Sequence, residues 1–74
     1  MNTPNFYELE ARYDSRKSFY GKAHIIDHGN NHFELQSYDT IVAEINNGVV
    51  VWDALGEYSQ TTNRHIREFI KQFT

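Results

Sequence analysis

The chain predicts an α+β domain: a twisted antiparallel sheet of three to four strands in meander order, with one C-terminal helix on one face. Three observations carry that expectation. Ile66, Phe69, Ile70 and Phe73 recur at i, i+3, i+4 and i+7, an apolar stripe at helical period. Upstream, apolar residues recur at period two, as in half-buried strands. Between two such runs stands Asn47-Gly48, the strongest short turn signal in the chain.

Seventy-four residues make a single domain, 1–74, with a thin core, since a chain this short buries only about 60% of its unfolded surface. There is no cysteine, which excludes disulfides and thiolate zinc sites and fits a reducing cytoplasm. Neither a signal-peptide core nor a membrane-spanning run is present in the sequence. Five Phe, five Tyr and one Trp argue for a folded domain rather than a disordered one. Charge is divided along the chain. Residues 1–60 carry four basic against nine acidic groups, and the last fourteen carry three against one. A dipolar acidic chain lacks the continuous cationic footprint of a general nucleic-acid binder.

Residues 1–5 hold the only proline and read as a loosely ordered start. Residues 6–13 alternate, with Tyr7, Leu9, Ala11 and Tyr13 on one side, and read as a strand, although Glu, Leu and Ala there also favour a helix. Asp14 to Lys17 is a polar turn. Residues 18–27 form a second strand, with Phe19, Gly21, Ala23 and Ile25 facing the core. A three-residue loop, Gly29-Asn30-Asn31, sets Ile25 opposite Leu35 and His28 opposite His32. A two-residue loop would set Ile25 opposite Glu34, mixing core with solvent, so the apolar pattern chooses the longer loop.

From Phe33 the odd positions stay inward as Leu35, Ser37, Asp39, Ile41, Ala43 and Ile45. Residues 33–46 therefore read as one long strand, bent near Ser37-Tyr38-Asp39. A type I′ turn at Asn47-Gly48 sets Ile45 opposite Val50, Ala43 opposite Trp52 and Ile41 opposite Ala54. The helix follows, with Ser59, Thr61 or Thr62 as its N-cap, and lays its stripe on Phe19, Ile25, Phe33, Leu35, Ile41, Ile45 and Trp52.

The face left over is the candidate partner surface. Tyr20, Ile26, Tyr38, Val42 and Val51 are more apolar than a solvated face requires, and Glu34, Glu44 and Asp53 lie beside them. The plain alternative is that aromatic and β-branched residues are good strand formers. Self-association would use the same surface.

Histidines supply the one metal-like pattern. His24 and His28 stand about 13 Å apart on a strand at ~3.3 Å per residue, too far to share an ion. His28 and His32, across the hairpin end, could share a divalent metal such as zinc, with Glu34 or a second molecule completing the site. Polar turn residues of no further role are the competing reading. His65 reads as a packed or capping residue at the edge of the stripe, with Glu68 as a surface partner at i+3. No catalytic residues are assigned. The chain has no nucleophile elbow, no phosphate-cradling Gly-rich loop and no His-Glu-x-x-His, so an enzyme is not expected. Arg64, Arg67 and Lys71 form a short basic stripe on the helix. It serves either as a solvated face that complements the helix dipole or as a contact for phosphates.

Three segments carry a resemblance: Lys17-Ser18-Phe19-Tyr20-Gly21-Lys22-Ala23, Leu35-Gln36-Ser37-Tyr38-Asp39-Thr40-Ile41-Val42-Ala43 and Thr61-Thr62-Asn63-Arg64-His65-Ile66-Arg67-Glu68-Phe69. Over residues 14–73 the chain resembles a family of small uncharacterised proteins encoded by phages, prophages and plasmids of Gram-positive bacteria. The resemblance implies a mobile-element setting in a bacterial cytoplasm. It also implies a non-enzymatic binder, with inhibition of a host defence nuclease such as Cas9 (an anti-CRISPR role) as one form. The leading expectation is a small interaction protein that binds another protein. The alternative is a nucleic-acid-associated regulator using the basic stripe, with no membrane partner in either case.

Overall fold

The computed structural model describes residues 5–15 and 18–74. Its elements are β1 (Asn5–Glu8), β2 (Ala23–Gly29), β3 (His32–Ser37), β4 (Thr40–Asn46), β5 (Val49–Asp53) and α1 (Gln60–Phe73). The strands form one antiparallel sheet in the order β1-β2-β3-β4-β5, each paired with its sequence neighbour. The α+β class and meander order are as the sequence predicts, and the sheet has five strands rather than three or four. The expected loose start falls outside the described residues except for Asn5, which opens β1. Arg16 and Lys17 of the expected polar turn fall outside them too.

The fifth strand arises where one was expected to run on. Residues 33–46 fold back at Tyr38-Asp39 into a tight hairpin, with Ser37 opposite Thr40 and Leu35 opposite Ala43. Tyr38 takes a positive φ of 56°, a conformation that an alternation pattern does not report. The register shifts between Leu35 and Gln36, and Val42 is the extra residue. This bulge turns Val42 into the core, where it is buried, and leaves Ile41 opposite Gln36 on the far face. Parity therefore breaks where the sequence reading kept it.

The first hairpin reaches its expected register by another route. Its loop has two residues, Asn30 and Asn31, both at positive φ, and His32 sits opposite Gly29. A bulge between Asp27 and Gly29 restores Ile25 opposite Leu35, so the core pairing holds while His28 does not face His32 in the ladder. At Asn47-Gly48, φ values of 54° and 76° make the expected type I′ turn, with Ile45 opposite Val50. A further bulge then places Glu44 opposite Trp52 and Ala43 opposite Asp53, with Val51 as the unpaired residue. Trp52 thus lies on the face away from the helix, against expectation.

At the other end, β2 starts at Ala23, because Tyr20 (φ 54°) and Gly21 (φ 74°) make a turn. Phe19 nevertheless packs in the core. β1 stops at Glu8: Leu9 donates its N–H to Ala23 O and is buried, while Tyr13 is exposed. The reason lies in the helix. The carboxylate of Glu68 accepts N–H of Tyr13 at 2.9 Å and of Asp14 at 2.8 Å, and Gln72 Nε2 donates to Glu10 O at 2.6 Å. These contacts draw the segment off the sheet and along the flank of α1.

Ser59 caps α1, its Oγ accepting Thr62 N–H at 3.3 Å. Ile66 and Phe69 are buried, and Ile70 and Phe73 pack partly buried at the core's edge, Phe73 against Phe33 with ring centroids 4.6 Å apart. The buried arc of the helix is wider than its apolar stripe. It includes Thr62, His65 and Glu68, all polar. His65 is fully buried, with Nδ1 hydrogen-bonded to Ser37 Oγ at 2.9 Å and its ring edge-on to Phe19. It is no surface partner of Glu68.

Candidate functional site

The helix covers the sheet face that carries Phe33, Leu35 and Ser37. The opposite face follows from the ladder, because residues directly opposed across antiparallel strands share a face. Phe6 pairs with Ile26, Ile26 with Glu34, Glu34 with Glu44, and Glu44 with Trp52. One row thus crosses all five strands, with apolar groups at its ends and two carboxylates at its centre. Beside it run His24, stacked on Phe6 at a centroid distance of 4.7 Å, then Gln36 and Ile41. On the other side stand His32, Asn46 and Val49.

The carboxylates are held in an ordered array. His28 Nε2 lies 2.5 Å from Glu34 Oε1, and His32 Nε2 lies 2.5 Å from Glu44 Oε2. Each ring donates through Nε2, since an ionised carboxylate only accepts. The two imidazoles stack at 4.7 Å. The second oxygen of Glu44 accepts the Trp52 indole N–H at 3.2 Å. These donors offset the repulsion between two carboxylates placed face to face across neighbouring strands. Around the array, Phe6 is 57% exposed, Val49 65%, Val51 54% and Trp52 41%.

Of the residues expected on this surface, Ile26, Glu34 and Glu44 are brought together at its centre. Val51 lies beside them as the bulge residue of β5. Tyr20 and Tyr38 are exposed but occupy the turns at one end of the sheet, adjacent because Tyr38 donates its N–H to Lys22 O. Val42 is removed from the surface by its bulge. Asp53 shares a ladder pair with Ala43, and its Oδ1 accepts Leu55 N–H, so it closes the end of β5. The sequence reading missed Phe6 and Trp52. Phe6 had the right parity; Trp52 was concealed by a bulge that no alternation pattern announces.

The expected metal pair is close in space, yet each Nε2 points to a carboxylate. Among the described residues no group of three or more His, Asp or Glu has a metal-holding arrangement. The basic stripe lies on the flank of α1, where Arg64 Nη1 contacts Asp14 Oδ1 at 3.4 Å. Among the described residues no helix is long and apolar enough to cross a membrane.

The fold and this surface define a small α+β module with one face of its sheet left bare among the described residues. The chain belongs to a family of unknown function, DUF8033, whose model matches residues 7–74. No curated protein and no solved structure matches it.

Proposed function

We propose that the chain is a non-enzymatic binding module that docks the helix-free face of its sheet on a partner protein with a basic and apolar surface. The observation behind this reading is the row Phe6–Ile26–Glu34–Glu44–Trp52, apolar at its ends and acidic at its centre. Facing carboxylates contribute nothing favourable to a sheet by themselves, and a bare face with Phe6, Val49, Val51 and Trp52 exposed leaves apolar area in water. A partner carrying Arg or Lys beside apolar groups would offset both. Nucleic-acid-handling proteins present such basic channels. The resemblance to mobile-element proteins makes a host defence nuclease such as Cas9 the first partner to try.

Trp52→Asp and Glu44→Lys are the test. Both positions are on the surface, so each variant keeps its far-UV circular dichroism and lowers affinity for the captured partner about tenfold or more, or ~1.4 kcal/mol. Undiminished binding by both variants would dismiss the reading. So would sedimentation as a dimer joined through this face, which would assign it to a second copy of the chain.

A further inference from the structure

The flank of α1 carries a separate site, independent of the docking face. Arg64, Arg67 and Lys71 follow one another at i, i+3 and i+7 and line an open cleft of about 290 Å3, whose far wall is the segment of residues 13–15. Glu68 fixes that wall. Glu68 is 2% exposed, and its carboxylate accepts the N–H groups of Tyr13 and Asp14 and takes Gln72 Nε2 at 2.7 Å. Asp14 is in turn bound to Arg64. Arg67 and Lys71 have no carboxylate within ion-pair distance among the described residues. In a chain of net charge −3, two cations without an ion-pair partner among the described residues thus line a fixed cleft.

We infer that this cleft binds a phosphate monoester. The choice among anions rests on charge and geometry. A monoester carries about −1.5 to −2 near neutral pH and so balances Arg67 and Lys71 together, whereas a carboxylate or a backbone phosphodiester carries a single charge. The guanidinium fork of Arg67 matches two phosphate oxygens, and Lys71 supplies a mobile point charge. Ser15 brings a hydroxyl donor to the same cleft. Its volume sits at the small end for ligand pockets, which suits one phosphate and the group attached to it.

The test is an amide-resonance titration of the full chain at constant ionic strength. The probes are inorganic phosphate, a nucleoside 5′-monophosphate, acetate and an oligonucleotide without terminal phosphates. Phosphate and the nucleotide should saturate shifts at Tyr13, Asp14, Arg67 and Lys71. Tighter binding of the nucleotide would identify a nucleoside-bearing ligand, and equal binding the phosphate alone. The double variant Arg67→Glu, Lys71→Glu should weaken both by about tenfold or more, while Lys22→Glu, an exposed cation elsewhere, should not. Acetate binding as tightly as phosphate, an oligonucleotide binding tighter than the nucleotide, an unaffected double variant or the absence of saturable shifts would each overturn the inference.

Discussion

His65 and Glu68 show how two polar residues on one helix organise both sides of the core. His65 Nε2 is buried with no hydrogen-bond partner among the described residues, and burial holds the ring below the ordinary histidine pKa. Asp14 opposes that shift and Lys22 reinforces it. A histidine with a lowered folded-state pKa binds fewer protons folded than unfolded, so stability falls as pH drops below the ordinary value of about 6.5. His65→Gln should therefore flatten the fall in unfolding midpoint between about pH 7.5 and about pH 5.5. Wild type and variant losing stability in parallel would show that His65 binds as many protons folded as unfolded, so that burial does not lower its pKa. Glu68→Gln tests the other anchor. It sets an amide N–H2 against the backbone N–H groups of Tyr13 and Asp14, which the carboxylate now satisfies. Urea unfolding should register a loss of about 1–3 kcal/mol.

At the scale of elements, turns and bulges decide what each strand exposes. Ser59→Ala removes the side-chain acceptor for Thr62 N–H and should cost about 1 kcal/mol in the same urea assay. Asn47-Gly48, the helix stripe and the pairing of Ile25 with Leu35 were legible in the sequence, because each rests on a local rule of turn chemistry or periodicity. The hairpin at Tyr38-Asp39 was not. A tyrosine at positive φ carries no turn signature, and unbroken parity from Phe33 to Ile45 argued for one strand. Three bulges, at His28, Val42 and Val51, then moved single residues between faces. Of the candidate surface, Ile26, Glu34 and Glu44 fall on one face as the alternation expects, because no bulge intervenes between them in the row. Val42 and Trp52 were misplaced because one does. The consequence is practical. Val42→Asp would bury a charge and unfold the chain, so it cannot probe the surface.

Across the whole molecule, α1 divides the labour of the sheet. One face and the helix flank enclose the core, with Glu68 tying the segment after β1 to α1. The other face has no covering layer among the described residues, and at its centre it gathers two carboxylates, two imidazoles and an indole in mutual contact. The basic groups of α1 lie on the helix flank, so the two surfaces can act separately.

Trp52 is the only tryptophan, and its indole N–H is bonded to Glu44 at the centre of the bare face, which makes it a specific reporter of docking. The decisive measurement follows that indole resonance, with the amides of Ile26, Glu34, Arg67 and Lys71, as the partner captured by the chain is titrated in. Docking through the sheet predicts saturable perturbation at Trp52, Ile26 and Glu34, with Arg67 and Lys71 unmoved. Perturbation confined to the helix signals, with the indole resonance unchanged, would contradict it.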